Sequence, residues 1–291
     1  MNTPLPLFLE DTTIAASAAE IGLNADSVAQ LQAIARYIAA DPERLEAVAA
    51  LHHVVFHADS PLDDVVAHAD AVLGEQADAM HALMVLESTR LVRERQASRG
   101  VPADVSQAVN DRHGAAWLRD AEQRGQLAID NWIPGWLRLV ASGNLYRLGR
   151  LEFAPQPFDQ PFRAFRNTAG EVLVLADAGT GFTDDGYMVG APTWTSAFEA
   201  TDAAFVGTPI LPGGRALRAT IRLPRPEWLQ VLAPGDPVLD MHIPAEGAFT
   251  LEAIDDALAQ SVPFFQEFQP DTQIVAFTCW SWLFSPQLEA M

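Results

Sequence analysis

Lysine is absent from the 291 residues, so all 18 basic side chains are arginine. That excludes a lysine Schiff base, a lysine general base and the phosphate-gripping lysine of a P-loop. Against the arginines stand 38 carboxylates, for a formal net charge of −20. Nucleic acid demands a basic surface, so it is not an expected partner, and an anionic membrane is disfavoured on the same ground. Cysteine occurs once, at Cys279, which rules out an intrachain disulfide and a zinc site built on several cysteines. No uninterrupted apolar run reaches membrane-spanning length, and residues 1–10 have neither the basic start nor the apolar core of a signal peptide. A soluble cytoplasmic protein is the expectation.

What is present is apolar: 49% of the residues are hydrophobic, too many for disorder and enough for a sizeable core in one large or two ordinary domains. From about Asp26 to Ser142 the pattern is helical. Val28, Leu31, Ile34, Ala35 and Ile38 form a first stripe. Asp41-Pro42 predicts a capped helix over 43–56, and Ser60-Pro61 repeats the device. Residues 75–96 read as the longest helix, and 131–140 as the last, carrying Trp132 and Trp136. Histidine is the polar feature of this half. His53 and His57 stand four apart, as zinc ligands on a helix do, but no glutamate lies between them and no third ligand has motif spacing. Histidines at the margin of a packed helix are the expectation, and no metal.

After Gly143 the period changes, which predicts a helical domain over 1–143 and a second domain over 144–291. Tyr146 to Phe153 reads as a strand. Residues 162–166 and 171–176 read as a hairpin about Asn167-Thr-Ala-Gly170. Residues 215–223 read as a strand with Arg218 and Arg222 on one face, and Pro226 to Leu232 as a brief helical turn. Gly179-Thr-Gly181 precedes no helix and reads as a loop.

The richest stretch runs from Gly235 to Leu283. Val238 to Ile243 alternates: Leu239, Met241 and Ile243 on one face, Val238, Asp240 and His242 on the other. Thr250 is placed to cap a helix carrying Leu251, Ile254, Leu258, Val262 and Phe265, with Pro263 expected to kink or end its last turn. A second apolar run covers 274–282. Strand, helix, strand makes a βαβ unit with two parallel strands, and the whole reads as an α+β protein.

GDPVLDMHIP, the acidic helix and AFTCWSWL resemble the C-terminal domain of bacterial acyltransferase-domain proteins, in which a helical N-terminal domain precedes a GNAT-like domain. YRLGRLEF at Tyr146 to Phe153 fits the entry to that domain, whereas histidine would be expected where Trp280 stands. The resemblance implies a GNAT-like mixed sheet and an acyl-CoA-dependent N-acyltransferase. Acetyl-CoA or another acyl-CoA would be the co-substrate and a small molecule the acceptor. It also implies that the two parallel strands splay to hold the donor. The loop over 244–249 matches the superfamily's pyrophosphate loop in place, but lacks its arginine and paired glycines and carries Glu246.

Transfer of an acyl group to an amine needs a base, a donor to the thioester oxygen and often an acid for the thiolate. Asp240 and His242 are candidates for a base and its orienter, or a satisfied pair on a strand. Glu246 is either a loop base or a turn carboxylate. Cys279 and Ser281 share a face of the last strand. Cys279 is a nucleophile only with a histidine in reach, and otherwise a small buried residue. Arg218 and Arg222 suit phosphates, or form a solvated face, and Gly247 belongs to the matching loop. Trp132, Trp136, Trp280 and Trp282 read as core rather than as a ligand cage. The alternative function is a non-catalytic GNAT-like module that binds a small molecule or a protein. The oligomeric state is not legible.

Overall fold

The structure, a computed structural model, describes residues 5–130, 133–281 and 283. Trp132 and Trp282 lie outside the described residues. The helical half contains α1 (Asp11–Glu20), α2 (Ala25–Ala39), α3 (Pro42–Phe56), α4 (Asp63–Leu73), α5 (Ala77–Ala97), α6 (Ala103–Arg112), α7 (Gly114–Gln123) and α8 (Pro134–Ala141). Local chemistry sets several of their starts. Asp41 Oδ1 accepts from the Glu43 and Arg44 amides at 2.9 and 3.2 Å, with Pro42 at the first helical position. The Arg44 N–H is the chief reason the Asp41 carboxyl lies below its ordinary range. Ser60-Pro61 does not repeat the device. Helix α4 starts at Asp63 without a side-chain cap, and the Ser60 carbonyl instead accepts from Arg138 Nη2 at 2.7 Å.

Helix α5 is the axis of this half. Ten consecutive residues, Met80 to Thr89, are buried, because α1, α2, α4, α6, α7 and α8 all pack against it. Its C-terminal turn ties down the connection that follows α8. Arg95 donates to the Ala141 carbonyl at 2.6 Å, Gln96 to Leu145 at 2.9 Å, and Arg99 to Gly143 at 2.7 Å and the Tyr146 hydroxyl at 3.0 Å.

The strands are β1 (Tyr146–Leu148), β2 (Leu151–Pro157), β3 (Phe162–Asn167), β4 (Val172–Ala176), β5 (Gly181–Phe182), β6 (Trp194–Thr195), β7 (Phe198–Ala200), β8 (Ala204–Gly207), β9 (Pro209–Ile210), β10 (Ile221–Pro224), β11 (Trp228–Leu232), β12 (Pro237–His242) and β13 (Ala276–Thr278), with α9 (Leu251–Phe268) before the last. They form four sheets among the described residues, β1-β2-β12-β13, β11-β3-β4-β9, β10-β8-β7 and β5-β6, and the α+β class is as expected. The β3–β4 hairpin pairs Phe162 with Ala176 and Arg166 with Val172. Asn167 Oδ1 closes its turn on the Ala169 and Glu171 amides, and Gly170 takes φ +86°.

Three expectations need correction. Residues 226–232 hold no helical turn: Trp228–Leu232 pairs antiparallel with β3, starting at Asn167. The run 215–223 is not one strand. A bend interrupts it, leaving Arg218 outside any strand and Arg222 in β10. Pro263 does not end α9, which continues to Phe268. The first sheet leaves off where the Phe158 amide donates to Asp236 O and the Gly235 amide to Phe158 O, both at 2.8 Å. There β2 and β12 give way to β3 and β11.

The chain divides into two compact units, Met1–Glu152 with Phe249–Ser261, and Phe153–Ala248 with Val262–Met291. In the second, Phe153 is fully buried and meets Phe265 of α9 and Phe277 of β13 edge-to-face, at 6.4 and 6.1 Å between ring centres. Phe153→Ala would open a cavity against helix and sheet together. The expected loss is about 3–5 kcal/mol of stability, measured by chemical denaturation, and a loss below about 1 kcal/mol would deny the cluster its role.

Candidate active site

Strands β12 and β13 run parallel and share three rungs: Val238 with Ala276, Leu239 with Phe277, Asp240 with Thr278. The ladder then stops, while β12 continues to His242. Asp240 therefore occupies the last rung and His242 lies beyond it on the same face, as the period of two requires. Crevices outside the carboxyl ends of parallel strands are where such sheets bind ligands.

A cleft of about 530 Å³ opens on the Asp240 face. Gln156, Phe158, Asp159 and Phe162 line it from β2 and the chain after it, Val238 and Asp240 from β12, and Thr278, Cys279 and Trp280 from β13 and beyond. The other face belongs to α9: Leu239, Val262 and Phe265 line a separate hollow there. Thr250 caps that helix, its Oγ1 accepting from the Ala253 amide at 3.2 Å. The buried stripe of α9 is Ala257, Ser261 and Phe265. Leu251 is 80% exposed and Val262 47% exposed, so the stripe lies one position away from the expected one.

Asp240 is partly buried and well held. Thr278 Oγ1 donates to its Oδ1 at 3.1 Å, and His242 Nε2 stands 3.6 Å from its Oδ2. Burial pushes the Asp240 carboxyl above its ordinary 3.8, and Asp159 adds to that; His242, Thr278 and Gln156 pull against it. Cys279 lines the cleft, but burial and then the Asp240 charge push its thiol up, the reverse of what a thiolate nucleophile requires. Ser281 Oγ accepts from the Leu283 amide at 3.3 Å. Because β13 ends at Thr278, alternation ends with it, and Thr278, Cys279 and Trp280 all reach the cleft. Trp280 is 83% exposed and is not core.

The other sequence candidates lie elsewhere. Glu246 and Gly247 are in the exposed loop before α9. Arg218 pairs with Asp184 at 2.7 Å and lies over Trp194, and Arg222 is an exposed residue of β10; neither lines the cleft. His53 and His57 stack at 6.2 Å, and among the described residues no three metal-ligating side chains gather.

Sequence reasoning passed over Gln156, Asp159 and Thr278, which the fold brings to Asp240. A signal was there: Gln156-Pro157-Phe158-Asp159-Gln160-Pro161 sets polar residues between two prolines after an apolar strand, the pattern of a chain leaving its sheet.

The GNAT-like C-terminal domain family matches residues 145–291, and the N-acyltransferase N-terminal domain matches residues 12–143. No curated protein sequence matches the chain. Among solved structures, an acyltransferase mutant (orf11) in complex with octanoyl-CoA aligns at TM-score 0.54 and 17% identity, over 100% of this chain and 67% of that one. An acyltransferase in complex with decanoyl-CoA and teicoplanin aligns at TM-score 0.51 and 18% identity, with the same coverage. At such identity these neighbours establish the shared fold. No helix among the described residues is long and apolar enough to cross a membrane.

The raised Asp240 carboxyl has a consequence for stability. The folded protein holds this proton more tightly than the unfolded chain. Its contribution is therefore fully present below pH 3.8 and lost as pH rises through the folded value. Asp240→Asn removes that loss. The variant is expected to melt at the same or a higher temperature than the parent at pH 7, with the gap closing towards pH 4, as followed by circular dichroism. A clearly lower melting temperature at pH 7 would mean that Thr278 and His242 make the carboxylate a net stabiliser.

Proposed function

The chain belongs to the GNAT-like C-terminal domain family, and on that footing we propose that it is an acyl-CoA-dependent N-acyltransferase acting on a small-molecule amine. The observation that carries this reading is the ending of the β12–β13 ladder at Asp240–Thr278, with His242 beyond it and an open cleft beside it. The names of the solved neighbours support the donor class, since both hold an acyl-CoA.

The donor lies along β12 past the last rung, where its backbone is no longer paired to β13. His242 takes the proton from the bound amine, with Asp240 stabilising the imidazolium across 3.6 Å. Thr278 pins the far oxygen of Asp240 and so fixes which oxygen faces the ring. The freed amine attacks the thioester carbon. A C–N bond forms, the C–S bond breaks, and the departing thiolate takes up a proton, leaving an amide and the CoA thiol. Cys279 stays a protonated thiol and takes no covalent part.

The donor's phosphates require cations. Arg218, one of the two arginines the sequence offers for them, is committed to Asp184. Octanoyl-CoA is expected to bind in a calorimetric titration, and to bind unchanged to Arg218→Ala. With any primary amine that supports release of CoA thiol, His242→Ala should lower turnover by about a hundredfold or more while donor binding persists. Absence of acyl-CoA binding would sink the proposal, and unchanged turnover would remove His242 from the mechanism.

A further inference from the structure

The walls of the Asp240 cleft are of two kinds. Phe158, Phe162 and Trp280 supply aromatic surface, and Asp240 and Asp159 supply charge. Among the described residues lining it there is no arginine and no histidine. Arg163, adjacent to Phe162, is instead paired with Asp177 at 2.5 Å. Trp280 leaves most of its indole in water at the edge of a concave surface, where a ligand's apolar body would cover it.

We propose that this cleft takes the acceptor as an ammonium ion carried on an apolar or aromatic body, and that Asp159 is the counter-ion that selects it. The assignment of the cleft to an acceptor rests on the acyltransferase reading above. Recognition of the ammonium group does not depend on the donor.

The two carboxylates are placed for different work. Asp240 is partly buried, held by Thr278 and close to His242, which suits it to proton transfer. Asp159 is exposed, with Oδ1 accepting a single amide hydrogen bond from Gln160 at 2.7 Å, which leaves its other oxygen for a cation. An aliphatic amine is almost wholly protonated at neutral pH. A site without negative charge would have to strip water from a bare ammonium, which is costly. Aromatic faces add cation–π attraction to whatever body carries the charge. The charge of Asp159 also contributes to the raised Asp240 carboxyl. A bound ammonium would screen one carboxylate from the other and leave Asp240 easier to ionise beside His242.

Benzylamine and benzyl alcohol are the probes: nearly equal in size, one charged and one neutral. Titrations followed by protein NMR, without donor and with saturating octanoyl-CoA, should show benzylamine binding at least tenfold tighter, with the preference shrinking in high salt. Asp159→Asn should erase most of that preference, and Asp159→Glu should restore it. Neither should alter octanoyl-CoA binding. Asp159 is exposed, so both variants are expected to fold. Trp280→Ala should weaken both probes, benzylamine somewhat more because it also loses cation–π attraction. Equal binding of the two probes to the parent, no binding of benzylamine even with donor present, or an Asp159→Asn variant that keeps the preference would each overturn the proposal. Discrimination without any octanoyl-CoA binding would uphold the ammonium site and sink the acyltransferase reading instead.

Discussion

Three rungs of parallel β-ladder hold the candidate site together. Parallel strands cannot be joined by a tight turn, so β12 and β13 require the α9 crossover, and α9 requires an apolar face to lie on. Val238 and Leu239 are both buried, so β12 is covered on each side at its start. Two residues later it emerges with Asp240 and then His242 only partly covered. The strand is anchored where it is apolar and presents polar side chains where its partner leaves it. Thr278 serves both ends of this arrangement: its backbone makes the last rung and its hydroxyl holds the carboxylate opposite.

Arginine does structural work throughout. Arg95, Arg99 and Arg138 donate to backbone carbonyls at helix ends and in the connections after them. A guanidinium offers several donors in a fixed fork, so one side chain can satisfy two carbonyls at once, as Arg138 does for Val54 and Ser60. An ammonium would make poorer use of the same positions. Arginines used in this way are not available to an anionic ligand, in a chain whose net charge is −20. That commitment bears directly on how a polyanionic donor would be held.

Legibility in the sequence followed the range of the interaction. The Asp41 and Thr250 caps, the Asn167 turn and the pairing of Asp240 with His242 on one face are local, and could be read without the fold. The βαβ unit was legible because each of its parts carries its own period. The phase of α9 was not. Its buried face is built on Ala257 and Ser261, small residues that permit close approach and that a hydrophobic stripe overlooks. Ala257 Cβ lies 3.5 Å from where a Cβ on Gly149 would stand, ordinary contact distance, so helix and turn already approach closely there. Arg218 was misplaced because alternation along 215–223 ignores the bend that interrupts it. The sequence around Gln156 and Asp159 signals only that a strand ends there; their place in the site depends on the order of strands, which brings β2 beside β12.

The placement of the two cleft carboxylates bears on how a proton would be handled. A base that is fully solvated is ionised but weak, while one that is deeply buried is strong but costly to ionise. Asp240 lies between these limits: burial lifts it, and Thr278, His242 and Gln156 draw it back. Asp159 tilts the balance towards the protonated form while no cation is bound. On the proposed reading, the substrate's own charge would reverse that tilt on arrival. The carboxylate form of Asp240 would then be favoured most when an amine is there to be deprotonated, because the ammonium ion that neutralises Asp159 also carries the proton that His242 must take.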